Sequence, residues 1–315
     1  MKAAILGAGV IGQGWAIRFA AMGWQVSIFD PNPKAAEACR AMFKTARGHI
    51  ETLYGPLPPS GDILQVANLS ETLAGANWIQ ESLPEDLALK QSLYAQITDS
   101  VGEAPLCSST SGFKPSDLTS NVPSLNARFM VCHPFNPVYL LPLVEVVAHT
   151  SVTQDAVKDC LSVLERIGMR PLQIRKEIDA HIADRLLEAV WREALWLVKD
   201  GVATTADIDD AITHGFGLRW AQMGLFETYR LAGGDLGMAH FLEQFGPALQ
   251  WPWSRLTDVP ALDDHLIDRI VEQSNQQSGG QTTGELAAIR DRNLVAIMQA
   301  LKSVDWGVGK HLNRY

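Results

Sequence analysis

Cysteine is scarce and wrongly spaced for metal or disulfide chemistry: four in 315 residues (Cys39, Cys107, Cys132 and Cys160), with no C-x-x-C pair. That spacing points to neither a disulfide framework nor a zinc site. Cys132 is expected to act as a small buried hydrophobe. Positive charge is also short, since 26 Lys and Arg against 35 Asp and Glu leave a formal net charge of -9. A nucleic-acid partner needs a basic footprint, so that class is excluded. No apolar run reaches the roughly 20 residues that a helix needs to cross a bilayer. The chain opens on "MKAAILGAG", which reads as a buried strand and not as a secretory leader, so the expectation is a cytoplasmic protein.

What is present is ordinary globular composition, 47% hydrophobic and 19% charged, in a chain long enough for two domains. The first half alternates short apolar runs with helical stretches, the pattern of a mostly parallel α/β sheet. Strands are predicted over 3–6, 25–29, 78–81, 106–109, 128–132, 143–147 and 171–174, with helices over 12–22, 33–53, 87–98 and 154–167. "YGPLPPSG" (54–61) ends the second helix, because proline removes donors and glycine breaks the periodicity. After Ile174 the strand signal stops. "HIADRLLEAVWREALWLVKDG" repeats apolar residues at helical spacing up to Gly201, and "TTADIDDAI" starts another helix on Thr204 or Thr205. Further helices are predicted over 263–272 and 285–301, around the polar loop 274–284. The expected architecture is a Rossmann-type α/β domain over residues 1–178, followed by an all-helical domain over residues 179–315.

"AAILGAGVIGQGW" places Gly7, Gly9 and Gly12 in G-x-G-x-x-G spacing between a predicted strand and a predicted helix. The first glycine permits a tight turn, the second lets backbone approach a pyrophosphate, and the third lets helix and strand pack closely. The helix N-terminus adds unpaired N–H groups and a positive dipole end. "QVSIFD" then ends the second strand on Asp30, where a ribose-binding carboxylate belongs. A carboxylate accepts from the 2'-hydroxyl of NAD and repels the 2'-phosphate of NADP. The cofactor expected is NAD.

A second constellation follows. His133 leaves a strand into the loop "HPFNP", and Glu145 lies on the next strand after a chain reversal. A hairpin of that kind brings the two side chains together, so the carboxylate can hold one imidazole nitrogen while the other faces an alcohol. The plain alternative is a histidine satisfied in the core. A third feature has two readings as well. Residues 214–253 hold eight aromatics (Phe216, Trp220, Phe226, Tyr229, Phe241, Phe245, Trp251 and Trp253), either as core or as ring faces for a cation.

With "GAGVIGQGW", "HPFNPV" with its glutamate twelve residues on, and "ADRLLEA" in place, the chain resembles the L-3-hydroxyacyl-CoA dehydrogenase superfamily over most of its length. The resemblance implies His133 as general base, Glu145 as its orienting partner, and Ser111 bonded to the substrate oxygen. It implies Glu85 and Lys90 near the nicotinamide ribose, and a homodimer joined through the helical domains. Two departures stand out. The family's active-site asparagine aligns with Asp184, which cannot donate as an amide does. Residues 31–70 carry only Lys34, Arg40, Lys44 and Arg47, with no cluster for the phosphates of CoA.

"SSTSG", "GMRPL", "GVATTADIDDAI" and "GLRWAQMGLFETYRLAGGDLGMAHFLEQFGPALQWPW" are similar to the carnitine-oxidising branch of that superfamily. This implies NAD-dependent oxidation of the 3-hydroxyl of L-carnitine to 3-dehydrocarnitine. A trimethylammonium group donates no strong hydrogen bond, so aromatic faces suit it, at about 0.5–2 kcal/mol per favourable contact. Tyr139, Phe216, Trp220, Phe226 and Tyr229 are the candidates, with Trp191 and Trp196 as weaker ones. Arg192 and Arg219 are options for the substrate carboxylate. The alternatives are a related 3-hydroxy acid dehydrogenase of the L-gulonate or 3-hydroxyacyl-CoA type, and a non-catalytic NAD-binding structural protein. No metal is expected.

Overall fold

The structure, a computed structural model, describes residues 1–232, 237–246, 254, 263–266, 268–269 and 281–315. Trp251, Trp253, residues 267 and 270–272 of the helix expected over 263–272, and most of the loop expected over 274–284 lie outside the described residues. By contact the chain divides into two units: Met1–Asp184 with Asp291–Ala296 and Leu312–Tyr315, and Arg185–Arg290 with Ile297–His311.

The first unit is built on one eight-stranded sheet. Its strands are β1 (Lys2–Leu6), β2 (Gln25–Phe29), β3 (Ile63–Gln65), β4 (Trp78–Glu81), β5 (Leu106–Ser108), β6 (Phe129–Pro134), β7 (Leu143–Ala148) and β8 (Arg170–Gln173). They lie in the order β3-β2-β1-β4-β5-β6-β7-β8. All neighbours run parallel except β6 and β7, which are antiparallel and pair His133 directly with Glu145. The helices are α1 (Val10–Ala21), α2 (Ala35–Tyr54), α3 (Leu69–Leu73), α4 (Leu87–Ile97), α5 (Pro115–Leu118) and α6 (Gln154–Arg166). Strands buried on both faces read as near-continuous apolar runs, which is why β1 stands out in the sequence. Leu6, Ile79, Leu106, Phe129 and Val147 meet Tyr94 of α4 in one core cluster.

Capping follows residue chemistry. Asn68 opens α3 by accepting from the Ser70 amide at 2.8 Å, and Thr153 opens α6 by accepting from Ala156 at 3.2 Å. Two short elements, β3 and α3, lie between the proline-rich turn and β4, where the sequence pattern predicts no element. Three strand residues beside a proline-rich turn carry too little periodicity to register, and their pairing with β2 is a tertiary choice. Cys107, Cys132 and Cys160 are buried, and their sulfurs lie within 4.8 Å of one another.

The described part of the second unit is helical. It contains most of α7 (Ala183–Lys199), α8 (Thr205–Ala211), a π-helical turn (Ile212–Phe216), α9 (Gly217–Ala232) and α10 (Gly237–Phe245). Thr204 and Asp207 form a reciprocal capping box at α8. Gly224, at φ +71°, breaks α9 between Trp220 and Phe226. No helix among the described residues is long and apolar enough to cross a membrane.

Candidate active site

The glycine loop joins β1 to α1, and each glycine answers a different steric demand. A Cβ on Gly12 would lie 1.9 Å from the Gly7 carbonyl oxygen, and one on Gly7, at φ +85°, would meet the Ser82 carbonyl at 2.8 Å. At Gly9 a Cβ would meet nothing within 4 Å. The protein therefore leaves space open in front of the first turn of α1, whose N-cap, Gly9, has no side-chain cap. Free amides, a positive dipole end and open space fit the pyrophosphate of a dinucleotide.

Asp30 follows β2 and turns back onto this loop. Its Oδ2 accepts from the Ala8 amide at 2.7 Å and its Oδ1 from the Asn32 amide at 2.8 Å. Each oxygen keeps a second acceptor position for a ribose hydroxyl. A cavity of about 690 Å³ opens beside it, lined by Gly9, Asp30, Leu69, Leu89, Ser92 and Gln96 among others. Polar groups at one end and an apolar slot at the other suit an adenosine. Replacing Asp30 with Ala is expected to raise KM for NAD by about 10-fold or more, the worth of a charge-assisted hydrogen bond. It should also narrow the preference over NADP and leave kcat nearly unchanged. Initial rates with both cofactors check this, and an unaltered KM for NAD would remove Asp30 from the cofactor site.

The next strand ends carry a buried charge network. Glu81, at the end of β4, is fully buried and accepts from the Leu83 amide at 2.6 Å, Lys90 Nζ at 2.8 Å, Tyr94 at 2.5 Å and Ser108 at 2.6 Å. Burial, then the Glu81 charge, push the Tyr94 phenol well above its ordinary range. Lys90 also donates to the Leu83 carbonyl at 3.1 Å and pairs with Glu85 at 3.4 Å. Its three protons are thereby used, and it is 1% exposed. Lys90, expected near the nicotinamide ribose, thereby anchors Glu81 and Glu85.

Glu85 is the link from that network to the loop after β5. Its Oε1 accepts from the Thr110 hydroxyl and from the amides of Ser111 (3.1 Å) and Gly112 (3.0 Å). Burial raises its pKa, but these hydrogen bonds and Lys90 outweigh burial and hold the carboxyl below its ordinary value. Ser111 is exposed on the loop so positioned.

At the antiparallel pair, His133 Nδ1 lies 2.9 Å from Glu145 Oε2. The other oxygen of Glu145 accepts from the amides of Ile182 and Ala183, both at 3.0 Å, at the start of α7. Burial works against ionisation of Glu145, but the bond from His133 and the two amides prevail, and its pKa is lowered. An ionised carboxylate only accepts, so Nδ1 carries the proton and Nε2 presents a lone pair. Asp184 Oδ2 stands 3.9 Å from Nε2, beyond hydrogen-bonding distance. Ser111, His133, Glu145 and Asp184 thus all belong to the first unit.

Tyr139 does not join an open aromatic set. It is buried, its hydroxyl donates to Asp291 at 2.5 Å, and its carbonyl accepts from the buried Arg18. Tyr139, an expected substrate contact, is thus held within the first unit and is 7% exposed. The remaining candidates lie in the second unit. Phe216 packs on Trp220 with centroids 4.6 Å apart, and Tyr229 stacks on Phe241 at 4.7 Å. Phe226 is 74% exposed. Arg192 lies on α7, 3.4 Å from Glu188, and Arg219 is exposed on α9. Trp191 is exposed, and Trp196 lies under the Lys199 ammonium.

With this geometry in place, residues 2–178 match the family model described as 3-hydroxyacyl-CoA dehydrogenase, NAD binding domain, and residues 181–273 match that described as 3-hydroxyacyl-CoA dehydrogenase, C-terminal domain. The chain belongs to the 3-hydroxyacyl-CoA dehydrogenase family. Its sheet unit carries the NAD-binding domain of that family, and NAD is the cofactor. A Ruegeria pomeroyi protein named L-carnitine dehydrogenase/betainyl-CoA thioesterase is 54% identical over 315 residues, 99% of this chain and 64% of that protein. The chain thus spans less than two-thirds of that relative. A Mesorhizobium japonicum protein named L-carnitine dehydrogenase is 49% identical over 98% of this chain and 86% of its own length. Among solved structures, an NAD+-dependent dismutase described as 5-formyl-3-hydroxy-2-methylpyridine 4-carboxylic acid 5-dehydrogenase superposes with TM-score 0.78. It is 26% identical and covers 96% of this chain and 98% of its own.

Glu81, Thr110 and His181 escaped the sequence reading. A glutamate closing the predicted strand "WIQE", four residues before a second glutamate, is the available signal for Glu81. Thr110 lies in the "SSTSG" run already singled out, but nothing in that run distinguishes it from its serine neighbours.

Proposed function

We propose that the protein oxidises the 3-hydroxyl of L-carnitine to 3-dehydrocarnitine with NAD. The observation that carries this reading is the likeness to L-carnitine dehydrogenase of Mesorhizobium japonicum, which runs through both units and covers 98% of this chain. The site chemistry supports it. Nε2 of His133 takes the hydroxyl proton, and the imidazolium that results is balanced by Glu145, itself held by the first amides of α7. Ser111 steadies the developing carbonyl oxygen. NAD, when bound, supplies the hydride acceptor at its nicotinamide ring. Glu85 and Lys90 hold the loop that carries Ser111.

The departure at Asp184 fits this substrate. Carnitine carries its trimethylammonium group one carbon from the reacting centre, and a carboxylate beside Nε2 of His133 places negative charge there. Within the second unit, Phe216, Trp220, Phe226 and Tyr229 have ring faces of the kind that suits methyl groups on nitrogen, and Arg192 and Arg219 are cations of the kind that suits a carboxylate. A CoA ester is disfavoured by the use of two of the four cations in residues 31–70: Arg40 donates to the Ile63 carbonyl at 2.7 Å, and Arg47 donates to Pro58 at 2.9 Å. The same reading carries a homodimer, for which exposed Leu186, Leu187 and Trp191 on α7 offer an apolar face, and a cytoplasmic location.

Asp184→Asn removes the charge and keeps the shape, so KM for L-carnitine should rise about 5- to 10-fold with KM for NAD unchanged. An unchanged KM for L-carnitine would detach Asp184 from the ammonium. The substrate assignment itself is tested by following NADH formation with L-carnitine, D-carnitine, L-gulonate, 3-hydroxybutyrate and 3-hydroxybutyryl-CoA in parallel. L-Carnitine should give the highest kcat/KM; preferential turnover of any other alcohol overturns the assignment.

A further inference from the structure

Immediately before α7 the chain makes a turn whose backbone is unusual. Ala180 and His181, neither a glycine, have φ values of +58° and +51°, in the left-handed region that residues other than Gly seldom adopt, Asn, Asp and His more often than the rest. Two consecutive residues persist there only when their surroundings over-determine the conformation. The surroundings are specific. The Ala180 amide donates to the Gly112 carbonyl at 3.0 Å. The His181 ring is fully buried, with Nε2 at 3.3 Å from the Thr110 carbonyl. A carbonyl only accepts, so Nε2 carries the proton. The next two amides, of Ile182 and Ala183, are those that hold Glu145.

The turn therefore grips the Ser111 loop on one side and Glu145 on the other. We propose that His181 is a positioning residue that, through its Nε2–H bond to Thr110, sets the Ser111 loop and the Glu145–His133 pair in mutual register. This deepens the proposed function and rests on it. Other features agree. Nδ1 of His181 is buried with no hydrogen-bond partner among the described residues, so a second proton there would be unsatisfied. Burial, then the neighbouring His133, hold its pKa below the ordinary value, against the opposing influence of Glu145, the bond to Thr110 and Asp184. With ring centroids 5.6 Å apart, two imidazoles share the site, yet the one backed by a carboxylate is placed to take the proton while the other remains a fixed donor.

Three proteins test this: the parent, His181→Leu, which fills the space without a donor, and His181→Gln, which restores an N–H. Loss of register at this scale is expected to cost His181→Leu about 10- to 100-fold in kcat with KM for NAD within about twofold. His181→Gln should remain within about threefold of the parent. Parent-like kcat in His181→Leu, or equal losses in both variants, overturns the proposal. Should the leucine variant fail to fold, the glutamine variant decides alone, and a loss of about tenfold or more counts against the proposal. Absence of turnover in the parent with L-carnitine is a failure of the substrate reading instead, and the three proteins are then compared on whichever alcohol the parent oxidises.

Discussion

His133→Asn is expected to lower kcat for alcohol oxidation by about 10²- to 10⁴-fold, the range over which a positioned acid–base group contributes. The expectation rests on tautomer geometry. Glu145 fixes the proton on Nδ1 at 2.9 Å, leaving Nε2 as the base. An asparagine can occupy the pocket and bond to Glu145, but it has no group that accepts a proton near neutral pH. Because the glycine loop and Asp30 lie on β1, α1 and β2, and His133 lies on β6, binding of NAD should be retained. Stopped-flow or steady-state rates together with NADH-fluorescence titration separate the two quantities. Full turnover in the variant would return His133 to the role of an ordinary core histidine.

Lys90→Met is expected to act on stability. The variant removes the ammonium that pairs with Glu81 at 2.8 Å, both groups being almost completely buried. The carboxylate keeps its donors from Leu83, Tyr94 and Ser108 but loses its counter-charge, and breaking such a pair from one side costs about 3–5 kcal/mol. Chemical denaturation should show a lower midpoint at unchanged slope. A normal midpoint with a raised KM for NAD would instead place Lys90 at the cofactor, contrary to its saturated donors. The parent and variant need to be compared at one pH, because Glu85 and Glu145 both have lowered pKa values. Their contributions to stability are fully present above the ordinary carboxylate value and are lost as pH falls from there through the lowered values.

Much of this was visible in the residue pattern for physical reasons. Glycines at 7, 9 and 12 report backbone geometry directly, since each excludes a Cβ or opens a space. His133 and Glu145 lie twelve residues apart around a proline-rich reversal, and the antiparallel register pairs them. The unread features are those set by distant partners. Tyr139 looked like an available ring until Asp291, 152 residues away, claimed its hydroxyl. The family resemblance puts Lys90 near the nicotinamide ribose, and its burial against three acceptors is set by Glu81, Leu83 and Glu85. The left-handed turn at Ala180 and His181 carries no glycine to announce it, because tertiary hydrogen bonds impose the conformation. In the second unit, aromatic composition was plain, but the break at Gly224 and the pairing of individual rings depend on packing.

The central claim is a direct transfer of hydrogen from C3 of L-carnitine to NAD at the His133–Glu145 site. The most direct test is to supply L-carnitine deuterated at C3 and follow the label by mass spectrometry. One deuterium in the reduced nicotinamide for each 3-dehydrocarnitine formed is the predicted result. Reduced cofactor without the label, or no reduction with L-carnitine at all, would contradict it.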